Sequence, residues 1–295
     1  MAEGALGTRQ EGRAAAIGRG RSAWRQFTRN RAGIIGLAII ACFLLIGVLA
    51  PLLAPHDPYE VEFDRGLEGP RRSTPLGRDE LGRDMLSRII YGARLSLVIG
   101  VIAVAIGVGV GVPLGALSGY YGGVFDLLVQ RAVDIMLAFP GILLAIVIVA
   151  VLGVGLTQAM LAIGIVSIPV YARLVRGQTL SLREQEFVDA ARALGAGTSR
   201  VIARHILPNT LAVIIVQSSL QVASAILSAA ALGFLGLGAQ PPAAEWGAML
   251  SAARQYLRLA PHAVAFPGLA IMITVLGFNL LGDGLRDALD PRLKM

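Results

Sequence analysis

Charge is what this sequence has least of. Of its 295 residues only 15% are Asp, Glu, Lys or Arg, against 55% hydrophobic, whereas an ordinary soluble domain carries roughly 25% charged residues. That deficit makes lipid the solvent for much of the chain. Lysine is nearly missing: Lys294 stands alone, and no glycine-rich loop precedes it. A Walker A loop needs a lysine to reach the phosphates, so that route to ATP hydrolysis is closed to this chain. Cysteine is as scarce. Cys42 lies inside an apolar run, which excludes an internal disulfide frame and a cysteine-based metal site, and it reads as a small apolar filler. His56, His205 and His262 are scattered without ligand spacing. Neither a metal site, a bound cofactor nor a nucleophile–base pair can be assembled from these residues, so a catalytic role is not expected.

What the chain does have is arginine and long uncharged runs. The formal net charge is +7, and Arg9, Arg13, Arg19, Arg21, Arg25, Arg29 and Arg31 all precede the first apolar stretch. A basic flank beside a membrane accounts for this clustering better than a nucleic-acid surface does. The run Ala32 to Leu53 holds 22 uncharged residues, longer than a signal-peptide core of about 7–15 and near the ~20 needed to span a bilayer. It is read as an uncleaved anchor.

Cutting the uncharged runs at Gly, Pro or excessive length gives six spans, near 32–53, 95–118, 135–153, 157–175, 210–236 and 262–282. Ile135 to Ala172 is uncharged over 38 residues, which as one helix would measure ~57 Å, nearly twice the ~30 Å hydrocarbon core. Gly153-Val-Gly155-Leu-Thr157-Gln158 supplies the turn. The breakers from Gly233 through Pro241-Pro242 take the chain out of span five, and backbone leaving a helix at that depth must pack inside protein or meet water. The expected fold is therefore all-α: a polytopic bundle of six transmembrane helices. Arginines in the N-terminal flank, and at 173, 176, 183, 192, 200 and 204 between spans four and five, place both termini in the cytoplasm. Segment 54–94 also holds seven arginines, nearly neutralised by acidic neighbours. The chain divides into a basic segment 1–31, a first helix with its extracytoplasmic segment 32–94, and a five-helix core 95–295 carrying the loop 176–209.

Two spans have patterns beyond apolarity. Gly107, Gly111, Gly115 and Gly119 recur every four residues in span two, a ridge that lets another helix approach closely. In span five Gln217, Gln221, Ser224 and Ser228 form one polar stripe, widened by Ser218 and Ser219. Polar groups in hydrocarbon must be paired or wetted, so the stripe either lines a pathway or bonds to neighbouring helices. Residues 244–257 are too short and charged to span; they read as an amphipathic helix at the outer interface, with Trp246 at headgroup level. Asp79, Arg83 and Asp84, set around Gly77 and Gly82, read as a salt-bridged, Asx-turned loop rather than a metal or catalytic site.

Between spans four and five lie about 35 mostly polar residues. Ser181-Leu-Arg-Glu184 has the form of a capping box, from which Phe187, Ala190, Ala191 and Leu194 make an apolar stripe. Gly195 and Gly197 stop that helix, Thr198 or Ser199 can cap a second, and Pro208 suits the first turn of span five. Two short helices parallel to the membrane are expected. The apolar face either plugs the inner mouth of the bundle or lies in a groove of another chain.

The residues here resemble a known family. Asp189-Ala-Ala-x3-Gly195, nine residues, then His205-Ile-Leu207-Pro208 is similar to the E-A-A-x3-G-x9-I-x-L-P signature of ABC importer permeases, with Asp189 for Glu, His205 for Ile, and Glu186 able to share the acidic role. Trp24-Arg-Gln-Phe-Thr-Arg-Asn30-Arg31, Ala50-Pro-Leu-Leu-Ala-Pro-His-Asp57-Pro58, Pro75-Leu-Gly77-Arg-Asp79-Glu-Leu-Gly82-Arg83-Asp84, Glu245-Trp246-Gly247 and the ending from Asn279 to Pro291 resemble C-type permeases of dipeptide and oligopeptide importers. The resemblance implies a type I importer permease fold in a bacterial or archaeal cytoplasmic membrane. It implies a partnership with a second, unlike permease subunit, two ATPase subunits that hold ATP and Mg, and an extracytoplasmic substrate-binding protein. Glu186, Asp189, Ala190, Ala191, Gly195, Leu207 and Pro208 would then engage the ATPase. The cargo would be peptides, with nickel complexes, glutathione or another small solute as the alternative. A stand-alone channel or secondary transporter is the rival reading. The spans have almost no ionisable groups away from their ends, beyond Arg131, Asp134 and Asp283 near boundaries, and this counts against ion coupling.

Overall fold

A computed structural model describes residues 24–289. Arg9, Arg13, Arg19 and Arg21 of the basic flank, the Asp290-Pro291 ending and Lys294 lie outside the described residues. Within them the chain is helical: α1 (Arg31–Val48, prolonged by the turn Ala50–Leu53), α2 (Met85–Tyr121), α3 (Gly123–Ala138), α4 (Gly141–Leu152), α5 (Leu156–Arg183), α6 (Glu186–Ala193), α7 (Thr198–Phe234), α8 (Trp246–Ala253) and α9 (Pro261–Leu289). Helices α1, α2, α5, α7 and α9 are each long and apolar enough to cross a membrane, and α3 with α4 makes a sixth crossing if the bent pair is counted as one.

Span boundaries differ from those read off the charge pattern. Helix α2 runs 37 residues and α7 another 37, each about 55 Å at 1.5 Å per residue, well beyond a ~30 Å core. Charged ends therefore belong to the helices rather than to loops. The third span is corrected most. Residues 135–153 are not one helix: the chain breaks at Phe139-Pro140 and turns by 96° between α3 and α4. Proline disfavours helical geometry at the residue before it, and Phe139 is extended, at φ −90° and ψ 138°. The turn at Gly153–Gly155 separates α4 from α5, as expected.

Close packing centres on α2. A Cβ added at Gly107 would meet Ser167 Cβ at 2.9 Å; at Gly111, Ile168 O at 2.6 Å; at Gly115, Ala172 O at 2.3 Å; at Gly119, Arg176 O at 2.9 Å. The ridge thus lies directly on the α5 backbone. A second close crossing, not singled out from the sequence, joins α1 to α9. Gly36 faces the backbone of Gly277 and Leu281, and Gly33 faces Gly284. Asn30 caps α1 through the Gly33 N–H and donates from Nδ2 to Asp287 at 2.7 Å, pinning the start of α1 to the end of α9. Cys42 is exposed on the outer side of α1.

At the end of the bundle opposite α6, residues 54–84 fold into a charged cap. Asp79 Oδ1 accepts from the N–H groups of Leu81 and Arg83, and Oδ2 pairs with Arg83 Nε at 2.6 Å. This is the Asx-turned, salt-bridged loop read from the sequence. Asp84 caps α2 by accepting from Ser87 N at 2.8 Å. The buried Arg88 guanidinium donates to the carbonyls of Pro58, Pro242 and Ala243, tying three segments together. Trp246 of helix α8 does not face outward to headgroups. Trp246 is 0% exposed, its Nε1–H bonded to Ile89 O at 3.1 Å and its ring edge-on to Phe43. Periodicity located the helix but could not say that its Trp face turns inward.

Candidate coupling and translocation sites

Helix α6 sits between the ends of α5 and α7, and its start is another correction. Ser181 lies inside α5, which runs on to Arg183, so Ser181-Leu-Arg-Glu184 caps nothing. Gln185 precedes α6 in extended conformation, without a side-chain cap bond. Propensity favoured a new helix at Ser181; packing of α5 against the glycine ridge carried the old one through. Gly195, at φ +81°, ends α6 as expected. The expected second helix is instead the first turn of α7. Gly197, not Thr198 or Ser199, is its cap, and a π-helical stretch Ile202–Ile206 leads into the regular helix at Leu207 and Pro208. π-Helical stretches are rare and frequently lie at functional sites. The loop between long helices shrinks to 184–197.

The two faces of α6 do different things. Val188 is fully buried and Ala191 nearly so; Val188 joins the main core with Val201 and Ile206. The opposite surface, Glu186, Phe187, Asp189, Ala190 and Leu194, is exposed, Leu194 at 89%. A buried face and a free face thus coexist on one helix. Arg192 fixes its angle: the guanidinium stacks 5.2 Å from the Tyr120 ring at the end of α2 and pairs with Asp189 at 3.0 Å. Phe187 lies 6.4 Å from the His205 ring. Nearby, Arg176 of α5 grips Asp126 of α3 through two 2.6 Å bonds, and Ser118 of α2 also binds Asp126. A bidentate arginine–carboxylate pair fixes orientation as well as charge.

The polar stripe on α7 is divided. Gln221 Nε2 donates to Ser167 Oγ at 3.0 Å, and the buried Tyr171 hydroxyl donates to Ser218 at 3.1 Å, so these two residues bond α7 to α5. Ser224 is exposed and Ser228 half-buried. Gln217 opens into a cavity of about 420 Å³ between α7 and α9 that Leu220, Arg286 and Leu289 also line. A separate groove of about 770 Å³ lies between the same two helices and Leu250 of α8, with Asn279 exposed on it. Asn279 is an exposed polar residue of the apolar helix α9 that the sequence reading did not assign to a pathway. Its single occurrence in an apolar run was the available signal.

Comparison with known proteins follows this geometry. Residues 111–295 match the family described as binding-protein-dependent transport system inner membrane component, and residues 18–70 match the N-terminal TM domain of oligopeptide transport permease C. The chain belongs to this permease family. It is thus a multi-span inner-membrane transport component of ABC importer type and not an enzyme, and such components work with ATPases and a binding protein. It is 53% identical to the dipeptide transport system permease protein of Alkalihalophilus pseudofirmus, over 93% of this chain and 90% of that one. It is 47% identical to the glutathione transport system permease protein of Pectobacterium atrosepticum, over 93% and 91%. Among solved structures, the MetNI methionine ABC transporter in an inward-facing conformation superposes with a TM-score of 0.58 at 20% identity, covering 70% of this chain and 98% of that one. That likeness establishes the type I permease fold.

Proposed function

We propose that this permease imports di- or oligopeptides, as one half of a pathway shared with a second, unlike permease. In this reading the α6 end is cytoplasmic, both termini lie there, and the exposed face of α6 enters a cleft of an ATPase that binds ATP and Mg. A substrate-binding protein meets the opposite end. Glu186, Asp189 and Ala190 contact the ATPase. Ala191 and Gly195 shape the helix, and Leu207 and Pro208 begin the α-helical part of α7 that receives the push. Gln217, Ser224, Ser228 and Asn279 face the pathway, while Ser218 and Gln221 hold its wall to α5.

The observation that carries the reading is the exposed apolar surface of Phe187, Ala190 and Leu194, on a helix whose other face is already buried. Bundle packing leaves that surface without a use. Glutathione, itself a peptide, is the second reading, favoured by relatives at 47 and 48% identity. The test co-expresses the chain with its partner subunits, places cysteine at Ala190 and maps cross-links to the ATPase. Nucleotide-sensitive cross-linking is expected. ATP-driven uptake of labelled dialanine and of glutathione into proteoliposomes then separates the cargoes, and uptake by the chain without ATPases would overturn the assembly.

A further inference from the structure

One arginine in the bundle has no evident use in transport. Arg94 lies on α2, is exposed, and forms no ion pair with the described residues. Its backbone packs on Gly47 of α1, where an added Cβ would stand 3.3 Å from Arg94 Cα. Gly47 precedes Leu53 by six residues, so Arg94 starts roughly 9 Å below the last turn of α1. Around it Val48, Leu52, Val98 and Val101 are exposed apolar residues, the surface expected against acyl chains. A guanidinium there is costly unless it snorkels to a polar partner. Helical side chains lean toward the helix N-terminus, which for α2 is the end opposite α6.

One turn along α2, Tyr91 shares the face of Arg94 and lines a cavity of about 420 Å³ with Pro51, Ala54, His56, Asp57 and Tyr59. The Tyr59 and Tyr91 rings stand 6.4 Å apart at 70°, two walls of a corner. Asp57 is exposed, with one carboxylate oxygen accepting the Tyr59 N–H. Two aromatic rings beside a carboxylate suit an ammonium group. An arginine one turn deeper suits a phosphate.

We propose that Arg94, Tyr91, Tyr59 and Asp57 bind the headgroup of a zwitterionic phospholipid, with the phosphate on Arg94 and the ammonium in the tyrosine corner. Along α2 the Arg94 and Tyr91 backbone positions are about 4.5 Å apart, close enough for one ethanolamine headgroup to reach both. The flanking apolar residues take the acyl chains, which a free solute would not need. The site is independent of which cargo the permease carries.

The test places the full-length chain in nanodiscs of phosphatidylethanolamine and phosphatidylglycerol in equal amounts, and counts retained lipids by native mass spectrometry. Phosphatidylethanolamine is expected to be retained about threefold over phosphatidylglycerol, the scale of one exposed cation–π and ion-pair contact. Asp57→Asn with Tyr59→Ala should bring that ratio to about one while leaving the phosphatidylglycerol count unchanged, which also shows that the variant is folded. Arg94→Gln should lower retention of both lipids, and Arg94→Lys should restore it. An unchanged ratio in the double variant, equal behaviour of the two Arg94 variants, or displacement of the lipid by free dialanine would each overturn the proposal.

Discussion

A methyl group at Gly115 should weaken the bundle, while the same methyl at Gly109, on the same helix, should not. A Cβ at Gly115 would stand 2.3 Å from Ala172 O and 3.0 Å from both Ala172 C and Arg176 N. These are backbone atoms of α5, so no rotamer change relieves the clash. Restoring ordinary contact near 3.4 Å requires α2 and α5 to part by about 1 Å, and overpacking of that kind costs about 1–3 kcal/mol. Separation also strips contacts from the helix pair that packs most closely, in a solvent that gives packing no hydrophobic assistance. At Gly109 nothing lies within 4 Å, so alanine there gains helix propensity, up to about 1 kcal/mol. Alanine at Gly115 gains the same propensity, so the two variants should differ by the overpacking cost, about 1–3 kcal/mol, with Gly115→Ala the less stable. Thermal or SDS-induced unfolding of the purified chain, followed by tryptophan fluorescence, measures this. A Gly115→Ala protein as stable as Gly109→Ala would refute the claim that the glycine ridge is a backbone contact surface.

Three further outcomes are expected. Glu245, buried at the start of α8 with both carboxylate oxygens accepting backbone N–H groups, has its pKa raised by burial, an effect the Gly247 and Ala248 N–H groups oppose. Its folded pKa exceeds its unfolded one near 4.3, so the folded state binds more protons and stability falls as pH rises through that window. Glu245→Gln should abolish this slope in an unfolding series from pH 4 to 8, whereas Glu245→Ala also loses the cap, about 1 kcal/mol. Leu194→Glu changes a residue that is 89% exposed; it should leave unfolding within about 0.5 kcal/mol, while lowering substrate-stimulated ATP hydrolysis in the reconstituted assembly. A Tyr171→Phe and Ser218→Ala double-mutant cycle should give a coupling of about 0.6 kcal/mol, the usual worth of a hydrogen bond between membrane helices; zero coupling would mean that the 3.1 Å contact contributes nothing.

How much of this was legible in the sequence depended on whether the signal was local. Lipid-length apolar runs, the glycine period on α2 and the stop at Gly195 need only nearest neighbours to be read, and each has a structural counterpart. The missed features required tertiary partners. Ser181 carries a good capping signature, but the α5 backbone opposite Gly115 and Gly119 holds the helix on through it. Trp246 has the spacing of an interfacial helix, yet a carbonyl at Ile89 and the ring of Phe43 draw it inward. The stripe on α7 was one pattern in sequence, and only the placement of Ser167 and Tyr171 on α5 divides bonded from open positions. Phe139-Pro140 was readable in principle, because proline restricts the residue before it; uniform apolarity on both sides concealed it.

These contacts bear on how a displacement at α6 would spread. Its inner face joins the core through Val188 and Ala191, and its angle is set by Arg192 on Tyr120 at the end of α2. The helices on either side of it, α5 and α7, are bonded to each other through Tyr171–Ser218 and Gln221–Ser167. Helix α5 is in turn seated on the α2 backbone along four glycines. In the proposed coupling a force on α6 would therefore be passed to α2, α5 and α7 together. The bent pair α3–α4 is attached differently. It is bounded by Gly122 and Gly123 at φ +66° and +59°, broken at Phe139-Pro140, and ended by Gly153 at φ +97°, with Asp126 on Arg176 as its firm anchor near α6. Its joints at Gly122–Gly123 and Gly153 lie at backbone positions without bulky side chains, but motion of the pair against the other helices would part Ala145 and Val149 of α4 from the core they share with Ile99, Ala162 and Leu232. Such motion transmits work only if a partner holds α6 differently in two states, and in the proposed assembly the exposed face of α6 would make that difference.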